Sequence, residues 1–80
     1  ARRYTLLMKE PQRGVYEHYK GGRYEVLGIV SHSETLEKLV HYRHLDGDKS
    51  EWVRPLTMFL EMVEVNGTSV PRFRYLAATL

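Results

Sequence analysis

Three pairs of turn-forming residues punctuate the chain: Gly21-Gly22, Asp46-Gly47 and Asn66-Gly67. Glycine reaches positive φ without steric cost, and Asn or Asp before it tolerates the same region, so each pair signals a tight hairpin. Between them lie runs rich in Val, Ile, Tyr and Trp, residues that suit a pleated, half-buried surface. The pattern predicts strands near 14–20, 23–32, 38–45, 50–54, 62–65 and 68–75. Turn signals at this spacing point to an all-β sandwich or barrel.

Two segments depart from it. Ser33-Glu-Thr-Leu-Glu37 could cap one helical turn or form a loop. Pro55 suits a first helical position, and Leu56, Phe59 and Leu60 then fall at helical spacing. One or two turns of α- or 3₁₀-helix are expected there. The expected fold is therefore an all-β, SH3-like small barrel of five or six short antiparallel strands with one short helical turn.

With 80 residues, a single domain over 1–80 is expected. Such a chain buries only about 60–65% of its extended surface, and its core supplies about 3–5 kcal/mol net. That excludes an enzyme with a cleft between two lobes. The absence of cysteine excludes disulfide staples and thiolate metal sites. No apolar run approaches the roughly 18 residues a membrane span needs, and no signal-peptide pattern is read. With 42% hydrophobic and 28% charged residues the composition is that of a soluble globular domain, and the cytoplasm is its expected location. The first residue is Ala1 rather than methionine, so the start is expected to be processed or trimmed.

Charge is unevenly placed beneath a net of +2. Residues 1–23 carry a net +4, residues 24–70 a net −4, and Arg72 and Arg74 make the end basic again. Such asymmetry suits a nucleic-acid contact surface. It equally suits basic ends packed against an acidic face of the same chain or of another copy.

Strand faces follow from the turns. If Gly21-Gly22 is a two-residue turn, Lys20 faces Arg23 and Tyr19 faces Tyr24. Val15, Tyr19, Tyr24, Val26 and Val30 then share one face, and Tyr16, His18, Leu27 and Ile29 the other. Gly28, inside a strand, predicts a bend or bulge. Around Asp46-Gly47, an even loop sets His41 and Arg43 beside Trp52 and Arg54, whereas an odd loop sets Tyr42 and His44 there. Both registers stay open at this point.

Several segments occur in a telling order: Gly14-Val-Tyr-Glu-His-Tyr-Lys-Gly21, Tyr24-Glu-Val26, His32-Ser-Glu-Thr35, Trp52-Val-Arg-Pro55, Met58-Phe59 and Pro71-Arg-Phe73. Over about residues 12–75 this series resembles a small bacterial family catalogued as domain of unknown function 1653. The resemblance implies a compact β-barrel-like domain, alone or appended to other proteins. It carries no assigned activity, so it transfers no catalytic residue.

Of the four histidines, His41 and His44 fall on opposite faces of a strand and cannot share an ion. His18 and His32 would need Glu17 or Glu34 as further ligands, without the spacing of a zinc site. His32 with Glu34 is the one local acid–base pair. No nucleophile elbow, phosphate loop or paired-carboxylate motif occurs. Neither catalytic nor metal residues are assigned, and no cofactor is expected. Asn66-Gly-Thr68 matches a glycosylation sequon but reads as a tight turn.

Nine aromatic residues, six of them tyrosine, are many for this length. They build strands and core, yet tyrosine keeps a wet end, and several phenols should reach the surface. Beside Arg54, Arg72, His18 and Lys20 they form an aromatic–cationic groove suited to single-stranded nucleic acid or to peptides. Arg54 is held extended by Pro55, with its guanidinium on the side of Trp52, a platform for an anionic or planar ligand. Alternatively Trp52 plugs one end of the barrel while Arg54 pairs with Glu51, Glu61 or Glu64. In Pro71-Arg-Phe-Arg74, Phe73 should point inward, with Arg72 and Arg74 guarding an edge strand.

The expected function is a non-catalytic binding module for a protein or peptide, or for nucleic acid. Its expected binding residues are Tyr16, His18, Tyr42, Trp52, Arg54 and Arg72, with Trp52 as anchor and Arg54 as anion contact. The alternative is a self-associating structural or accessory domain, a homo-oligomer that buries the Tyr4–Met8 patch. A third reading is a small hydrolase or metal-dependent enzyme at His32 and Glu34.

Overall fold

The computed structural model describes residues 10–79. Seven strands and one helical turn follow one another: β1 (Gly14–His18), β2 (Arg23–Ser31), β3 (Lys38–His44), β4 (Glu51–Pro55), α1 (Leu56–Phe59), β5 (Met62–Val65), β6 (Thr68–Pro71) and β7 (Phe73–Ala77). All strand pairs are antiparallel. A five-stranded sheet runs β4-β3-β2-β1-β7, and β5 with β6 forms a separate hairpin. The all-β class and the short helix agree with expectation. No ladder joins β4 to β7, so the sheet is not closed into a barrel. The final expected strand is two, because the chain breaks at Arg72 between β6 and β7.

The first hairpin corrects the expected register. Tyr16 pairs with Tyr24 and Glu17 with Arg23, and His18 N–H donates to the Gly22 carbonyl at 3.0 Å. The loop is Tyr19-Lys20-Gly21, three residues long, so Tyr19 does not face Tyr24. Tyr16 and His18, not Val15 and Tyr19, share the face of Tyr24 and Val26. Burial explains the choice: this register hides the Tyr16 ring at 5% exposure and leaves Tyr19 at 36%. The Lys20 amide, donating to His18 Nδ1 at 3.1 Å, supports the longer loop.

The second hairpin takes the odd register. Tyr42 pairs with Trp52 and Val40 with Arg54, around residues 45–49. Register shifts in β2 between Val26 and Gly28, which places the expected bulge there and keeps Ile29 on the inner face opposite Val40. Asn66 and Gly67 have φ of 52° and 79°, the two positive values a tight two-residue turn requires.

The core lies on the inner face of the sheet: Tyr16, Val26, Val40, Tyr42, Leu56, Phe59 and Phe73. Leu56 and Phe59 enter from α1, and Phe59 stacks on Phe73 with ring centroids 4.3 Å apart. Phe73 points inward as expected. The sheet's carboxylates are bound on its other face: Arg43 pairs with Glu25 at 2.7 Å, Arg74 pairs with Glu17 at 2.7 Å, and His41 Nε2 is hydrogen-bonded to Glu51 at 2.9 Å. Strand alternation thus sorts charge, setting these carboxylates on the outer surface and aromatic residues with Arg54 on the inner one. No helix of the described residues is long and apolar enough to cross a membrane.

Candidate functional site

At the open end of the inner face, side chains from β1, β2, β3, β4 and β7 converge on a groove of about 310 Å³. Its lining is His18, Tyr24, Tyr42, His44, Trp52, Arg54 and Phe73. The floor is Tyr42 and Phe73, each 6% exposed, while Trp52 at the rim is 54% exposed. Rings meet edge-on along the wall, Tyr24 with His44 at 4.6 Å and Tyr24 with Phe73 at 5.5 Å between centroids. Trp52 does not act as a plug. Its indole N–H donates to Ser50 Oγ at 2.7 Å, which fixes an exposed ring in place.

Arg54 is the one permanent charge in the lining. Its guanidinium lies 5.6 Å from the centroid of Phe73, over the ring. Among the described residues it enters no ion pair, so the expected alternatives Glu51, Glu61 and Glu64 are not its partners. Its Nε is buried with no protein acceptor. No carboxylate lines the groove. Burial holds the pKa of His18 below the usual imidazole value, and the nearby charges of Arg54, Arg72 and Lys20 add to that effect. With Nδ1 accepting the Lys20 amide, neutral His18 carries its proton on Nε2. The groove is an aromatic box with an excess of positive charge, able to accept an anion and a flat ring together.

Four of the six expected binding residues meet here: His18, Tyr42, Trp52 and Arg54. Tyr16 does not. It belongs to the core, donates its hydroxyl to the Gln12 carbonyl at 2.7 Å, and borders a larger apolar concavity of about 570 Å³ with Phe59, Leu60, Pro71 and Tyr75. Arg72 lies outside the groove, tied to Glu61 at 2.8 Å. Sequence reasoning missed Tyr24, His44 and Phe73 as lining. The signal for His44 was the odd loop register, which sets it beside Tyr42 on the Trp52 side.

His32 and Glu34 serve a turn. His32 Nδ1 accepts the amides of Glu34 at 3.1 Å and Thr35 at 3.3 Å. Among the described residues, no three His, Asp or Glu side chains are grouped so as to hold a metal ion. The Tyr4–Met8 patch lies outside the described residues.

The fold and groove define a small antiparallel β domain with a ring-lined concave face. The chain belongs to the family described as "Protein of unknown function (DUF1653)", whose match spans residues 14–75. It is similar to the crystal structure of a member of that family from Bordetella bronchiseptica, with a TM-score of 0.78 and 35% sequence identity. That similarity covers 86% of this chain and 91% of the other. No curated protein matches the chain.

Proposed function

We propose that this chain is a non-catalytic binding module of a bacterial, cytoplasmic protein, and that the inner-face groove holds its ligand. The supporting observation is Arg54: a half-buried guanidinium over an aromatic floor, without an ion-pair partner among the described residues, in a groove lacking carboxylates. Leaving a charge partly desolvated costs stability unless something uses it. A negatively charged ligand with a planar group supplies both the missing partner and a face for Trp52. Protein or peptide and nucleic acid both offer such groups.

Trp52 is the sole tryptophan, so its emission reports the groove directly. Titration with a nucleoside monophosphate and with an acidic, tyrosine-containing peptide should change that emission for at least one of them. Arg54→Ala should weaken the response about tenfold or more, as expected for losing a charged hydrogen-bond donor. Silence with both ligands, or a response unaffected by Arg54→Ala, contradicts the proposal.

Self-association as an accessory domain is the second reading. Met58, Leu60 and Met62 favour it, being 42%, 42% and 56% exposed close together after β4. Against it, Arg72 and Arg74 of the basic end already pair with Glu61 and Glu17 of the same chain. The enzyme reading has less support, since His32 Nδ1 is committed to its own turn.

A further inference from the structure

A second aromatic ring with flanking cations adjoins the groove. Tyr19, in the β1–β2 loop, has Lys20 Nζ 5.7 Å and the Arg72 guanidinium 5.9 Å from its ring centroid. Backbone bonds secure this arrangement: the Tyr19 amide donates to the Arg72 carbonyl and the Arg72 amide to the Glu61 carbonyl, each at 2.9 Å. His18 links the two places. Its ring is 4.8 Å from that of Tyr19 on one side and 4.9 Å from Phe73, the groove floor, on the other. Ring contacts thus run from Tyr19 through His18 to Phe73 and the Arg54 guanidinium over it, and His18 lines both the groove and the adjoining concavity that holds Tyr19. The neighbouring carboxylates Glu61 and Glu17 are taken up by Arg72 and Arg74.

We infer that the ligand of this surface is single-stranded nucleic acid, with one base against Trp52, another against Tyr19, and backbone phosphates on Arg54 and Lys20. The inference rests on the groove being the ligand site. A compact anion would satisfy Arg54 and leave Tyr19 and Lys20 unused. A duplex keeps its base faces stacked inside, whereas a single strand offers them to aromatic side chains in sequence with phosphates. An acidic peptide brings the charge without a regular repeat of planar faces.

The test is fluorescence anisotropy of labelled oligo-dT and oligo-U of about ten nucleotides. A matched duplex, a nucleoside monophosphate and an acidic peptide serve as competitors, and Trp52 emission is followed in parallel. Either single strand should bind about tenfold or more tightly than the monophosphate, and the duplex should compete poorly. Two phosphate contacts predict a slope of log K against log salt of about −1.4. Tyr19→Ala should weaken the oligonucleotide about tenfold without changing monophosphate affinity, while Tyr19→Phe keeps the ring and the affinity. Arg54→Ala should weaken both ligands.

An oligonucleotide that binds no better than the monophosphate overturns the inference, as does a Tyr19→Ala protein with unchanged oligonucleotide affinity. So does a peptide that binds more tightly than either strand. In each of those cases an Arg54-dependent change in Trp52 emission leaves the groove reading standing. If no ligand changes Trp52 emission, both fall together.

Discussion

Tyr42 and Trp52 are cross-strand partners on one face of the sheet, yet one is 6% exposed and the other 54%. Their positions account for the difference. β3 is interior to the sheet, and Tyr42 packs among Tyr24, Phe59 and Phe73. β4 is an edge strand, and Trp52 lies near its start, away from the α1 end. The indole N–H bonded to the Ser50 hydroxyl holds this ring at the surface rather than in the core.

The pair should therefore separate stability from binding. Tyr42→Ala should lower stability by about 3–5 kcal/mol, the cost of emptying a buried aromatic site. Trp52→Ala should cost less than about 1 kcal/mol and weaken ligand binding. Urea denaturation compares the two, and equal losses would place Trp52 in the core after all.

His18 gives the fold a dependence on mild acid. Its pKa in the folded chain lies below the ordinary 6.5, first through burial and then through Arg54, Arg72 and Lys20. Tyr19, Tyr24 and Phe73 pack around it and supply no counter-charge. The unfolded chain takes up the proton more readily, so stability declines as pH falls through 6.5 towards the folded pKa. Above 6.5 the imidazole adds no such dependence. NMR titration should find the His18 pKa raised in Arg54→Ala, and raised again when an anion enters the groove. An unchanged value in the variant would show that Arg54 does not act on it.

Tyr16 gives the fold a dependence on alkaline pH. Burial and the neighbouring Tyr75 push its pKa up to about 12 from 10.0. Its contribution is complete below pH 10.0 and is lost as pH rises towards about 12, because the unfolded chain ionises first. Tyr16→Phe should remove that part of the alkaline loss and cost about 1 kcal/mol at neutral pH through the missing bond to the Gln12 carbonyl. Denaturation series from neutral pH upward on both proteins check this. Parallel pH profiles would contradict it.

Gly14 and Gly28 should differ in their response to alanine. Gly14 has φ of 142°, and a Cβ there would strike the Ala77 carbonyl oxygen where β1 meets β7. Gly14→Ala should destabilise the fold by more than about 1 kcal/mol. At Gly28 the nearest atom to a new Cβ is an Arg13 nitrogen at 3.9 Å, so that substitution should lie within about 0.5 kcal/mol of the parent. Thermal melts of both variants distinguish the cases, and equal melting temperatures would contradict the close approach at Gly14.

Strand positions were legible because turn residues and β-branched runs are local signals. Asn66-Gly67, the bulge near Gly28 and the helical turn after Pro55 all appear where local chemistry places them. Register was harder to read. Gly21 and Gly22 both take positive φ, 97° and 85°, and such a pair is compatible with a two-residue or a three-residue loop. The outcome turned on hiding Tyr16 rather than Tyr19, a long-range matter of which ring meets Phe59 and Tyr75. Closing the sheet is also non-local. β4 ends at Pro55, which lacks an amide hydrogen, and α1 turns the chain away with no ladder to β7. The groove followed the same division: Trp52 and Arg54 were visible from one strand, whereas Tyr24, His44 and Phe73 required three strands in register.

The most direct measurement is an NMR titration of the full chain with a single-stranded oligonucleotide. It would follow the Trp52 indole N–H, the Arg54 and Arg43 Nε–H groups and the His18 and His41 rings. Binding in the inner-face groove predicts that Trp52, Arg54 and His18 shift together and saturably. Arg43, paired with Glu25, and His41, hydrogen-bonded to Glu51, lie on the outer face and should stay still. Shifts confined to Arg43 and His41, or binding by anisotropy with Trp52 and Arg54 unmoved, would contradict the groove as the ligand site.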